Sequence, residues 1–172
     1  MSQATALVLV LNDAAAFDAV RREFAPWDVE RRIPFHITLL SPFAARDEVT
    51  DELLGDVSAF FAGRPAFAFA LTRIAFWPRV VYAVPEPDGQ LVECMRALYA
   101  RFPQWSPYGG IHDEVVPHAT LGHEVDGPTA QPEIECRLAM HLPKRYLIDE
   151  VTLLEEYAPD RWRERERFPL GG

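Results

Sequence analysis

Two short phrases in this chain carry residue types that can move protons. His36-Ile37-Thr38-Leu39 lies in the first half and His118-Ala119-Thr120-Leu121 in the second, almost half the chain apart. Each pairs an imidazole with a hydroxyl two positions on. In a β-strand side chains alternate between faces, so residues i and i+2 point the same way. Each phrase therefore sets His and Thr on one face and two apolar residues on the other. Two such pairs across one cleft supply two proton-transfer groups and two hydroxyl donors. That set suits in-line displacement at a phosphodiester without a metal. A lone His-x-Thr on a strand is usually structural; the repeat, each copy continued by Leu, points to two similar lobes offering one motif each.

The surrounding elements are read from periodicity and punctuation. Residues 5–11 form a continuous apolar run and predict a buried strand. Asn12 or Asp13 caps a helix through Phe24, on which Phe17, Val20 and Phe24 recur at helical spacing. Pro26 and Pro34 bracket a loop, and residues 35–40 form the first motif strand. Asp47 caps a second helix with an apolar stripe from Val49 to Phe61, closed by Gly63. Two strands follow, 66–76 and 80–84, joined around Trp77-Pro78-Arg79. Asp88 begins a third helix. A loop rich in Pro and Gly delivers the chain to the second motif strand, 117–122. A helix over 131–141 would bury Ile134, Leu138 and Met140, and residues 146–157 and 162–170 read as a β-hairpin whose charged second strand lies at a sheet edge. The order strand, helix, motif strand, helix, strands recurs after residue 79, which makes the chain α+β rather than a parallel βαβ series.

Composition narrows the function classes. The chain has 172 residues, 49% of them hydrophobic, which predicts a single domain with a sizeable core. No apolar run reaches the roughly 18 residues that span a membrane. The two cysteines, Cys94 and Cys136, have no Cys-x-x-Cys spacing, so free thiols in a cytoplasmic protein are expected. No His-Glu-x-x-His or similar cluster suggests a metal, and no cofactor is expected. The net charge of −9 disfavours a long duplex and favours a small ligand or a nucleic-acid end. A monomer is expected, without membrane attachment.

The stretches Phe35-His36-Ile37-Thr38-Leu39-Leu40-Ser41-Pro42-Phe43 and Pro117-His118-Ala119-Thr120-Leu121-Gly122 resemble the paired signatures of the two-histidine (2H) phosphoesterase superfamily, in its 2′-5′ RNA ligase-like branch. The ending, Val151-Thr152-Leu153-Leu154-Glu155-Glu156 followed by Trp162 and Phe168-Pro169-Leu170-Gly171, is similar to that branch too. The resemblance spans nearly the whole chain. It implies one bilobal α+β domain over residues 1–172, with two antiparallel sheets around a central cleft and helices outside. It implies action on 2′,3′-cyclic phosphates, on related cyclic phosphates of nucleotides and ADP-ribose, or on 2′-5′ phosphodiester bonds. His36 and His118 would serve as acid and base, with Thr38 and Thr120 donating to the non-bridging oxygens. Which histidine is the base stays open, as does the direction, hydrolysis or ligation. The alternative is an idle module that binds nucleotides or RNA ends.

Three further residues are candidates for substrate binding. Tyr108, in Pro107-Tyr108-Gly109-Gly110, can stack on a base where glycines let the loop approach; loop packing is the equal alternative. Trp77 is either a stacking platform or an edge packer. Arg73 neutralises phosphate if its strand face lines the cleft; otherwise it is a solvated arginine. Of the remaining histidines, His123 is expected at a solvated strand end, His141 at a helix end and His112 on the surface of the loop.

Overall fold

The computed structural model describes residues 3–110 and 114–171. The expected surface position of His112 lies outside them. Eight strands form two antiparallel four-stranded sheets. The first contains β1 (Thr5–Val10), β2 (His36–Leu40), β7 (Glu150–Ala158) and β8 (Arg161–Pro169), in the order β2-β1-β7-β8. The second contains β3 (Phe67–Trp77), β4 (Val80–Glu86), β5 (Ala119–His123) and β6 (Lys144–Ile148), in the order β5-β4-β3-β6. The two orders correspond at the motif end: each motif strand, β2 or β5, is an edge strand beside the strand that precedes it in the chain. The α+β architecture with two similar lobes around a cleft is therefore what the chain adopts.

The helices cross between the halves. Helix α1 (Ala15–Phe24) follows β1 yet packs on β5, and α4 (Gly89–Arg101) follows β4 yet packs on β2. Helix α3 (Asp51–Ala62) lies on β8, and α5 (Gly127–Leu138) lies on β3 and β4. Neither sheet can bury its helix-facing side without a helix from the other half. One apolar core results, running through Leu7, Leu9, Phe17, Ile37, Leu39, Phe61, Leu71, Leu98, Ala119 and Leu121. Burial of each large side chain there contributes roughly 1.5–3 kcal/mol. Edge strands β2 and β5 meet where the halves join.

Several elements differ from the sequence reading for local reasons. Residues Pro26–Glu30, expected in a loop, form a short helix, α2, because proline fits the first helical position, where no N–H partner is needed. Asp13 does not cap α1; it has φ +52° and pairs with Lys144. Asp47 does not cap α3. Residues Arg46–Glu48 make a single 3₁₀ turn, and the Thr50 hydroxyl accepts from the Leu53 N–H at 3.2 Å. Helix α5 begins earlier than expected, capped by Asp126, which leaves Met140 past its end and 95% exposed. The long strand expected over 146–157 is two strands, β6 and β7, placed in different sheets on either side of Asp149. The charged β8 does lie at an edge.

Candidate active site

Strand alternation builds the first half of the site. Ile37 and Leu39 enter the core, 0% and 1% exposed, which turns His36 and Thr38 to the other face. Register pairs Val10 with His36 and Val8 with Thr38, so both valines share that face. Ala6, Val8 and Leu154 cluster there, with Val10, Ile33 and Trp162 against them. His36 is pinned: its Nδ1–H donates to the Pro34 carbonyl at 2.7 Å, and its Nε2 lies 3.1 Å from the Thr38 hydroxyl. Burial lowers its pKa below the ordinary 6.5; Arg21 and His118 lower it further, while the Pro34 hydrogen bond and Asp28 oppose the shift.

The second half repeats the device. His118 stands one residue before β5, and its Nδ1–H donates to the Val116 carbonyl at 2.8 Å. Ala119 and Leu121 are fully buried, as Ile37 and Leu39 are in the other motif. Thr120 pairs with Tyr82, and Tyr82 with Ala75. Arg73 and Trp77 stand two residues either side of Ala75, on the same face of the sheet. The Trp77 ring lies edge-on to His118 with centroids 4.8 Å apart, and Tyr82 lies 5.6 Å from the same imidazole. Trp77 and Tyr82 are 4.3 Å apart, so the three rings form one group. Gly127 keeps that group in place. A Cβ there would meet the Trp77 carbonyl at 2.4 Å, so only glycine lets the start of α5 close on the β3–β4 turn.

Trp77 thus touches His118, and Arg73 shares the face, where its Nε donates to Glu86 at 3.1 Å. Tyr108 reaches the first half: its N–H donates to the Ser41 carbonyl at 2.7 Å, burial pushes its phenol's pKa up while Thr38 opposes the shift, and 38% of its surface stays exposed. His123 is exposed at the end of β5, near Glu124, and His141 follows α5. Tyr82, Trp162 and the Val8–Val10 face were not singled out from the sequence. The alternation within β4 and β1 was visible, but which face looks into the cleft depends on strand pairing.

A second charged place lies elsewhere. Arg46, Arg163 and Arg165 converge on Glu155, which is 3% exposed, beside a cavity of about 780 Å³. Glu155 answers all three arginines, and Asp47 and Glu164 line the same cavity, so its charges balance internally. Among the described residues no group of three or more His, Cys, Asp or Glu is placed to hold a metal ion. Among them no helix is long and apolar enough to cross a membrane.

The family model of the 2′-5′ RNA ligase superfamily matches residues 10–160, which include both motifs. The chain belongs to that superfamily. A Staphylococcus aureus (strain Newman) protein named "Putative phosphoesterase" is 28% identical over 143 residues, 81% of this chain and 82% of its own length. The fold is that of Escherichia coli LigT. The LigT structure complexed with NADP⁺ aligns with TM-score 0.63 and 20% identity over the whole of both chains. The complex with 3′-AMP gives 0.58 and 19%, again over both chains. The Thermus thermophilus protein TT0787 aligns with TM-score 0.62 and 19% identity over 98% of each. Membership in a phosphoesterase superfamily and the LigT-like fold agree with the resemblance drawn from the two motifs.

Proposed function

We propose that the protein is a metal-independent phosphodiesterase, able in reverse to ligate, that acts on a 2′,3′-cyclic or related cyclic phosphate, or on a 2′-5′ phosphodiester, of a nucleotide or RNA end. One observation carries the reading. Both histidines donate from Nδ1 to a carbonyl two residues upstream, which leaves each Nε2 as the nitrogen that can exchange a proton. His36 feels the charge of His118, as an acid and a base on one small group should.

In ring opening, a water gives its proton to one Nε2 and bonds to phosphorus. The bond from phosphorus to one ribose oxygen breaks, and the other imidazole protonates that oxygen. His36, whose burial favours the neutral form, is cast as the base and His118 as the acid. Thr38 and Thr120 donate to the non-bridging oxygens. Trp77 and Tyr82 offer ring surface to a base beside His118. Arg73 turns from Glu86 toward phosphate when substrate enters. LigT's complexes with 3′-AMP and NADP⁺ support a nucleotide-sized ligand for this fold. The free thiols Cys94 and Cys136 suit a reducing, cytoplasmic setting.

The test is a panel of 2′,3′-cyclic nucleotides, cyclic phosphates of ADP-ribose and 2′-5′-linked dinucleotides, assayed with EDTA and with His36→Ala as control. Turnover that survives chelation and is lost in the variant is expected. Binding without turnover across the panel would leave an idle nucleotide-binding module. Abolition by EDTA with rescue by zinc or manganese would move the chemistry to a metal.

A further inference from the structure

The core-facing side of α1 carries a charge. Phe17, Val20 and Phe24 form its apolar stripe, and Arg21 lies among them with 3% of its side chain exposed. An apolar side chain of that volume generally serves stability as well as a buried charge does. What it cannot supply is hydrogen-bond donors, so the partners of the guanidinium show what the arginine holds. Nη1 donates to Asp18 at 2.8 Å, one turn back on the same helix. Nη2 donates to the Ile33 carbonyl at 2.8 Å, and the guanidinium lies over the Phe35 ring, 5.8 Å from its centroid.

Those last two contacts fall on either side of Pro34, whose carbonyl accepts from His36 Nδ1–H at 2.7 Å. The entry to the first motif is thus fixed carbonyl by carbonyl. Ile33 accepts from Arg21, Pro34 from His36, and Phe35 from the Leu11 N–H at 2.9 Å. Phe17, one turn before Arg21, stacks on the Phe35 ring with centroids 4.9 Å apart. The end of the same helix rests on the second motif strand: a Cβ added to Gly122 would stand 3.5 Å from the Phe24 Cβ. Helix α1 therefore touches both motifs, and Arg21 is where it grips the first.

We propose that Arg21 is a positioning residue for the reaction: by clamping the segment on either side of Pro34 from a helix seated on the second motif, it fixes where Nε2 of His36 stands relative to His118. The inference rests on reading the two histidines as a proton-transfer pair at a phosphodiester. Arg21 is buried, and no bond to it changes during turnover. Two groups acting on one phosphorus tolerate little drift; a misplacement of about 1 Å costs roughly a hundredfold.

The charge of Arg21 works in the same direction as its grip. Arg21 and His118 oppose a proton on His36, while Asp28 favours one. A ring kept bare by its surroundings is ready to take the proton from water.

Arg21→Met keeps the volume and deletes the donors. Thermal melts on the same preparation set a temperature at which the variant is folded, and the assays are run there. For the panel's substrate kcat should fall roughly ten- to a hundredfold, with KM changed less than about twofold. In a His36→Ala background the same substitution should cost nothing further, because Arg21 acts through His36. A role in stability alone would leave kcat of the folded variant unchanged, or lower it equally in both backgrounds. A second measurement needs no turnover. Imidazole ¹H–¹⁵N NMR should show neutral His36 carrying its hydrogen on Nδ1 in the wild type, and a share of rings carrying it on Nε2 in Arg21→Met, as the Pro34 carbonyl is freed to move. Should Arg21→Met not fold, Asp18→Asn loosens the same guanidinium from its exposed end, and kcat and tautomer should move in the same directions by a smaller amount. Unchanged kcat in the folded variant, losses that add to those of His36→Ala, or an unmoved tautomer would each overturn the proposal. Failure of every panel substrate would overturn the functional reading alone, and the tautomer would still decide the clamp.

Discussion

Replacing His36 with alanine separates chemistry from folding. The imidazole makes two hydrogen bonds, to the Pro34 carbonyl and with the Thr38 hydroxyl. Losing hydrogen bonds of this kind costs a folded protein on the order of 1 kcal/mol. Loss of a positioned proton-transfer group lowers turnover by roughly 10²–10⁴-fold, or about 2.7–5.5 kcal/mol of barrier at about 1.36 kcal/mol per tenfold. The catalytic loss thus exceeds the folding loss severalfold. For a chain of this size about 1 kcal/mol moves Tm by roughly 2–4 °C. His36→Ala should therefore remain folded at 25 °C while its turnover falls at least a hundredfold. His118→Ala should do the same, and the double variant should lose less than the product of the single losses, because both groups serve one transition state. The assay is hydrolysis of a 2′,3′-cyclic nucleotide in EDTA, with Tm measured on the same preparations. Near-wild-type turnover in both single variants would refute the acid–base assignment. A turnover loss that merely tracked the fraction unfolded would refute the separation.

His118→Ala should raise the NMR titration midpoint of His36, because the charge on His118 is one of the influences that lower it; a midpoint that stays or falls would contradict their proximity. Stability should decline in acid. His36 titrates below 6.5 when folded and near 6.5 when unfolded, so its contribution is complete above about 6.5 and is lost as pH falls through the folded value; thermal melts should show the decline, and His36→Asn should flatten it. Glu155→Gln should cost about 1.5–3 kcal/mol, since it weakens charged hydrogen bonds from Arg163 and Arg165, with Tm as readout and cyclic-phosphate turnover at 25 °C unchanged.

The motif strands were legible because alternation is a local rule: once Ile37, Leu39, Ala119 and Leu121 must be buried, His and Thr have only the other face. The repeated element order was legible for the same reason, since helix and strand periods change within short windows. The path through 144–158 was not. Lys144–Ile148 and Glu150–Ala158 carry similar apolar residues, and only the second sheet's need for a strand beside β3 pulls β6 away from β7. Capping failed where a tertiary contact competed. Asp13 found Lys144, and Arg165 took the carbonyls of Arg46 and Val49, which holds the chain around Asp47 in a short turn and leaves Thr50 to start the helix. Tyr82 was missed because its place beside His118 depends on the register of β4 against β5.

The exchange of helices bears on how the site holds its geometry. Were each half to fold on its own helices, the two motif strands would be joined only along their edges and could drift. Instead α1, carried by the strand beside β2, is buried against β5, and α4, carried by the strand beside β5, is buried against β2. Displacing one motif from the other therefore requires opening the apolar core around Phe17, Phe35, Leu91 and Leu98. Within that frame each imidazole is set by a carbonyl two residues upstream, so both rings keep the same tautomer while their surroundings differ. On the proposed function one ring must start bare while the other carries a proton, and His36, whose pKa burial lowers, is the ring suited to the bare form. A frame that holds both motifs at once is what such a division of roles would need, since two groups serving one transition state tolerate little drift.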